Sequence, residues 1–208
     1  MKQEARSERS RTQVLNAALR LFSSQGYRGT NMREIAEAAG VSTGNVYHQF
    51  KHKEAVFQTL LDEYSVIVAK PEYPFNKALA DGAFPDDLDK LAAAVRLSLE
   101  QTRAHALLMY VDVIEFDGRH LRQFYENMTR RFEAYLQTEG GRCSAARIRP
   151  GVSPLRAMQF TTRFLRKFFE VEVLFGVGSQ HYGSDGGDVL TEMTEILKFG
   201  LLQTPGKG

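Results

Sequence analysis

Over the first quarter of the chain, apolar side chains return at helical spacing. Val14, Leu15, Ala18, Leu21 and Phe22 form one stripe, the signature of an amphipathic helix. That spacing predicts a helix starting at a Ser7 or Ser10 cap and ending at Gly26. A short second helix follows, with Met32, Ile35, Ala36 and Ala39 on one face. Asn31 stands at its cap, and Glu34 sits three residues on, where a capping-box partner belongs. Gly40 closes it. Ser42 caps a third short segment carrying Val46 and Phe50, and a fourth helix runs from about Lys53 to Ala69 with Val56, Phe57, Leu60, Leu61 and Tyr64 inward. Further helices are expected at about 86–104, 105–116, 118–138, 153–175 and 188–203, separated by Gly82 to Pro85, Gly140-Gly141, Pro150 to Pro154 and the glycine-rich stretch 176–187. No strand-like alternation of useful length and no internal repeat occurs, so the expected fold class is all-α.

Lys70-Pro71-Glu72-Tyr73-Pro74 interrupts the helical pattern, because proline does not continue a helix interior. It suggests a head of residues 1–53, a linking helix to about 70, and a larger helical body over 71–208. The 208 residues are 43% hydrophobic and 25% charged, with 14 Phe and 8 Tyr, too many large apolar groups for a disordered chain. No apolar run reaches the roughly 20 residues that span a bilayer. The charged start, Met1 to Arg9, leads into no apolar signal core. A cytoplasmic protein that works without a membrane is therefore expected. One cysteine, Cys143, excludes a disulfide framework within the chain and a cysteine-built zinc site. Net charge is +2, but residues 1–53 hold nine Lys and Arg against four acids, while the remainder holds eighteen against twenty-one. A basic head on a mildly acidic body suits a nucleic-acid surface.

The sharpest signal lies at residues 31–50. Two short helices are joined by Ala39-Gly40-Val41-Ser42. Gly40 supplies the left-handed backbone of a sharp reversal, and Ala36 is small enough for close crossing. This is the pattern of a helix-turn-helix, whose second helix enters the DNA major groove. A plain helical hairpin is the competing reading, opposed by the helix's shortness and by its lack of an apolar outer face. Gly44 also costs about 1 kcal/mol of helix propensity relative to Ala, which close backbone approach to a ligand would explain. Thr43, Gly44 and Asn45 on the leading turn are candidates for base reading. Tyr47, His48, Gln49 and Lys53 are candidates for phosphate contact. Asn31, Arg33 and Ser42 complete the candidate DNA surface.

The stretch from Gly29 through Asn31-Met32-Arg33-Glu34-Ile35-Ala36 and Gly40-Val41-Ser42-Thr43-Gly44-Asn45-Val46-Tyr47 to Lys53-Glu54-Ala55 resembles the DNA-binding domain of TetR-family transcriptional regulators. The resemblance covers about residues 8–60, reaching back through Ala17, Leu21, Phe22, Gly26 and Tyr27. It implies a homodimer on a palindromic operator in double-stranded DNA, usually repressing and released by a small-molecule effector, here unknown. Two positions depart from the family. Gln49 stands where a phosphate-contacting His is common, and His52 where a Ser, Asn or Asp usually caps the fourth helix.

In the body, Leu165, Phe168, Phe169, Val171, Val173, Leu174 and Phe175 make one helix apolar almost all round, which demands cover on more than one side. In the family, the last two long helices form half of an intersubunit four-helix bundle. Phe169, Leu190, Met193, Leu197 and Leu201 are the interface candidates, an ordinary intrachain core being the alternative. Met109, Tyr110, Phe116, Phe124, Met128, Phe160 and Phe164 are candidates for lining an effector pocket. Asp112 and Glu115 fall in the same stretch; they are candidates for holding a cationic or hydroxylated ligand, with solvated surface the expected state.

Other chemistry is poorly supported. His48 and His52 have the spacing of a metal pair but no third ligand. Arginines flank Cys143, yet an inert loop thiol is the simpler reading. No phosphate loop or nucleophile elbow occurs. Neither an enzyme nor a cofactor is expected. The competing functions are a helical interaction module with a basic docking head, and a ligand-responsive activator in place of a repressor.

Overall fold

The computed structural model describes residues 2–178 and 188–199. Every regular element among them is an α-helix: α1 (Lys2–Gln25), α2 (Met32–Ala39), α3 (Thr43–Gln49), α4 (Lys53–Ile67), α5 (Pro74–Ala80), α6 (Leu88–Gln101), α7 (Arg103–Phe116), α8 (Arg119–Leu136), α9 (Glu139–Ala146), α10 (Pro154–Phe175) and α11 (Val189–Phe199). None is long and apolar enough to cross a membrane. Contacts group the chain into two compact units, Met1–Ala69 with Thr102–Tyr125, and Lys70–Gln101 with Glu126–Gly208. The first unit therefore draws α7 and the start of α8 into the neighbourhood of the helix-turn-helix.

The first unit is built on α1, against which α2, α4 and α7 pack. Val14, Ala17, Ala18 and Phe22 of α1 are buried with Ile35 of α2, Val46 of α3 and Phe57 of α4. The helix begins at Lys2 instead of a serine cap, because residues 2–9 are mostly good helix formers. Ser10, one of the two expected caps, points its hydroxyl at Asn45. Tyr64 of α4 lies flat between His105 of α7 and Phe124 of α8, with ring centroids 5.5 and 5.4 Å away. Burial lowers the pKa of His105.

Asp112 corrects the expectation of a solvated carboxylate, since none of it is exposed. Its Oδ2 accepts the backbone N–H groups of His120 and Leu121 at 3.0 and 2.9 Å, and its Oδ1 lies 2.6 Å from His120 Nδ1. Those amides belong to the first turn of α8, where helical N–H groups lack partners along the chain. Asp112 thus caps α8 from across the turn at Asp117-Gly118.

In the second unit α6 packs against α5, α10 and α11. Arg96 reaches Glu172 of α10 at 2.9 Å, and Thr194 of α11 donates to Asp89 at 2.7 Å. The expected break at Lys70–Pro74 is present, since α4 ends at Ile67, but an unexpected short helix follows it, and the expected break at Gly140-Gly141 is itself helical. Pro74 opens α5, at a position where its missing N–H leaves nothing unpaired. Gly140-Gly141 lies inside α9, capped by Thr138. A Cβ on Gly141 would stand 2.0 Å from the Tyr135 carbonyl oxygen, so this glycine permits close approach to the end of α8. Cys143 is accordingly an exposed helical residue, not a loop one. The expected helix at about 153–175 is α10, capped by Ser153, which accepts from Arg156 N, and by Gly176, left-handed at φ 71°. The expected extension of the last helix to 203 lies partly outside the described residues.

Removing the Asp112 carboxylate strands two helix-end amides and a histidine. Asp112→Ala should therefore lower the unfolding free energy by about 3 kcal/mol in urea titration, with Asp112→Asn in between.

Candidate nucleic-acid interface

The turn between α2 and α3 closes as the sequence predicts. Gly40 is left-handed at φ 67°, and Val41 N donates to Ala36 O at 3.0 Å. Asn31 Oδ1 accepts from Arg33 N and Glu34 N, while Glu34 Oε2 takes Asn31 N at 2.9 Å, the reciprocal capping box. Ser42 Oγ accepts from Asn45 N at 3.2 Å. His52 Nδ1 accepts from Ala55 N at 3.1 Å, so histidine does the capping work of the family's usual short polar residue.

On α3, Val46 is buried, while Gly44, Tyr47 and His48 are exposed, Tyr47 to 52%. Ser42 and, on the helix before, Asn31 and Arg33 are exposed too, with Thr43 half-buried. A Cβ on Gly44 would meet nothing nearer than Ser42 Oγ at 4.0 Å. The fold does not require this glycine.

Asn45, Gln49 and Lys53 are placed differently from the rest. Asn45 Oδ1 accepts from Ser10 Oγ and from Gln49 Nε2, both at 2.8 Å, and Gln49 Nε2 also donates to Ser10 Oγ at 3.1 Å. The pair ties α3 to α1. With its oxygen so engaged, Asn45 offers a partner only its amide donor, short of the bidentate grip on adenine. Lys53 turns inward: Nζ donates to Tyr27 O and Thr30 O, each at 2.6 Å, and lies 4.1 Å from the centre of the Tyr27 ring. Burial pushes its pKa down, opposed by the carboxylates of Glu115 and Glu34. The expectation of a free phosphate-seeking ammonium is corrected by these two carbonyls, which no local spacing reveals.

Glu115 was expected in solvent, but its side chain is only 11% exposed. Oε1 accepts Tyr27 N at 2.9 Å and Oε2 accepts Arg28 N at 2.8 Å. These partners lie 88 and 87 positions away in sequence, beyond any motif. Burial raises the pKa of the Tyr27 hydroxyl, with Glu54 and Glu115 adding to it.

The pocket candidates fall in both units. In the first unit Met109 and Phe124 are buried and Tyr110 is half-buried. Phe116 stacks on Phe57 at 5.0 Å and meets Tyr27 edge-on at 4.7 Å, so it belongs to the core beneath the α1–α2 turn. In the second unit Met128 is buried, whereas Phe160 is 65% exposed and Phe164 48%. These last two point out of their unit's core, because α10 gives its other face, with Met158, Thr162, Leu165 and Phe169, to the interior. Phe169 and Met193 are likewise buried in the chain's own core and are corrected as interface candidates. Leu190 and Leu197 are half-buried, and Leu201 lies outside the described residues. On the described parts of α10 and α11 the exposed large apolar side chains are Phe160, Phe164, Phe175, Ile196 and Phe199.

A capped helix pair with a sharp turn, standing on a three-helix core and showing a polar outer face, defines a helix-turn-helix protein of the DNA-binding class. Residues 14–60 match the family described as bacterial regulatory proteins, tetR family. That stretch runs from the middle of α1 into α4 and includes the whole helix-turn-helix. The chain is 28% identical over 133 residues to the uncharacterized HTH-type transcriptional regulator YvkB of Bacillus subtilis, covering 61% of this chain and 66% of that one. It is 43% identical over 74 residues to the HTH-type transcriptional regulator AcrR of Shigella flexneri, covering 35% and 34%. The match thus spans just under two thirds of the first relative and about a third of the second. The solved structure of the fatty acid degradation regulator FadR from Bacillus halodurans shares the fold, with TM-score 0.62 and 17% identity over 92% of this chain and 96% of that one.

Gly44→Ala should separate stability from binding. It should raise the unfolding free energy by up to about 1 kcal/mol, while weakening operator affinity in gel shifts. A variant that binds as tightly as the parent would show that nothing approaches this backbone. Lys53→Met makes a second test: a brace leaves the slope of log affinity against log salt unchanged, whereas a lost phosphate contact lowers it by about one unit.

Proposed function

We propose that this chain is a homodimeric, sequence-specific DNA-binding repressor, released from a palindromic operator by a small-molecule effector. One observation carries the reading: α3 turns Gly44, Tyr47 and His48 outward beside Thr43, with a glycine its own fold does not need. The leading turn, Thr43 and Gly44 with the Asn45 amide donor, reads base edges. Tyr47, His48, Arg33 and Ser42 take phosphates, and Asn31 contributes through the helix end that it caps. Gln49 and Lys53 serve the surface from behind, by holding α3 and the α1–α2 turn in place. Such a protein works in the cytoplasm, on the nucleoid when DNA-bound.

The family match supports a dimer, as does the outward row of Phe160, Phe164 and Phe175, spaced to share one side of α10. A second copy that covers this row and the neighbouring Ile196 and Phe199 would present two recognition helices to a two-fold operator. Effector and operator then disfavour one another by equal factors, as linkage requires.

Selection from a random duplex pool tests the whole reading. The protein should enrich a two-fold symmetric sequence, and an asymmetric or unenriched pool would refute it. Phe164→Glu should shift the mass measured by light scattering from dimer to monomer and abolish operator binding at concentrations where the parent saturates. A parent that is monomeric at micromolar concentration would contradict the dimer.

A further inference from the structure

We infer that Glu115, on α7 and outside the stretch matched to the family's DNA-binding domain, is a positioning residue for operator recognition: its carboxylate fixes the α1–α2 turn and through it the helix pair. The inference rests on the DNA-binding reading above.

The turn at residues 26–30 is held from two sides. From α7, the two Glu115 oxygens accept consecutive backbone amides, Tyr27 N and Arg28 N. From the first turn of α4, the Lys53 ammonium takes the carbonyls of Tyr27 and Thr30. Tyr27 is therefore fixed through both its N–H and its C=O, and its ring is fixed among Phe22, Phe57 and Phe116, with centroids at 5.6, 5.5 and 4.7 Å. Gly26 leaves room for this approach, since a Cβ there would stand 3.0 Å from Glu115 Oε1.

The ion pair with Arg28 does not explain Glu115. Its N–O distance is 3.6 Å and the Arg28 side chain is 83% exposed, the kind of surface pair that contributes little. The two amide hydrogen bonds are charge-assisted, at 2.9 and 2.8 Å, and are accepted by a side chain only 11% exposed, so they carry more weight. Thr30, closed onto Gly26 O by its hydroxyl at 2.8 Å, is followed directly by Asn31, the cap of α2. One residue thus separates the clamped turn from the helix pair. Because α2 and α3 are joined by a three-residue turn, Gly40 to Ser42, a displaced turn re-aims α3 without unfolding it.

The whole 208-residue chain tests this with Glu115→Gln, which keeps size but sets an NH2 group against one of the two amides. Affinity is measured on the selected operator and on an unrelated duplex of equal length and salt, and amide exchange is followed at Tyr27 and Arg28. The operator should be bound about tenfold more weakly and the unrelated duplex within about twofold of the parent, since loss of aim costs base contacts and spares phosphate attraction. The two amides should exchange faster. Arg28→Ala, which leaves both amide bonds in place, should leave amide exchange and operator preference near those of the parent. If Glu115→Gln does not fold, Glu115→Asp carries the test, because its shorter carboxylate keeps the charge but does not reach both amides. Operator affinity unchanged despite faster exchange, or equal loss on both duplexes, would overturn the role of Glu115. A parent that enriches no sequence would instead overturn the DNA-binding reading beneath it.

Discussion

Helices of eight and seven residues do not hold themselves together in water, where isolated helices shorter than about 12–15 residues are marginal. The helix pair at the heart of this chain, α2 and α3, is therefore on loan from its surroundings. Local capping supplies part of the support, through Asn31, Glu34, Ser42 and the left-handed Gly40. The rest comes from outside: Ile35 and Val46 sink into the core of α1 and α4, and Ser10 grips α3 through Asn45 and Gln49. The division of the chain follows from this constraint. The unit holding the helix-turn-helix extends beyond residue 69 to recruit α7 and the start of α8.

That recruitment accounts for polar groups that would otherwise be anomalous. A fully buried carboxylate is costly unless hydrogen-bonded, and Asp112 is satisfied by the amides that open α8. Glu115 is satisfied by the amides that follow α1. Lys53 gives up solvent for two carbonyls and an aromatic face. Each charged group bonds backbone groups at a helix end or turn, so rigidity gathers where the chain reverses. The outer side of α3 is left without such obligations, with Gly44 in open space and Tyr47 half in solvent.

What was legible in the sequence was local. The capping box at Asn31 and Glu34, the reversal at Gly40, the Ser42 cap and the ends of α10 at Ser153 and Gly176 all depend on residues within a few positions of each other, and all stand as read. Glu115 and Tyr27 meet across 88 positions, and nothing in either neighbourhood announces the other. Gly140-Gly141 read as a break because propensity disfavours glycine in helices, yet close packing on Tyr135 requires a missing side chain there. For α10 the apolar excess was visible but not its direction. Phe169 proved to serve the chain's own core, while Phe160 and Phe164 face outward, a choice made by α6 and not by the helix itself.

The central claim is that the outward side of α3 enters the major groove twice, once per subunit. Methylation protection of the selected operator tests it most directly, because guanine N7 lies in that groove. The account predicts two symmetric patches of N7 protection, separated by about one helical turn of roughly 10 base pairs or a multiple of it. A single patch, or protection confined to minor-groove positions, would contradict it.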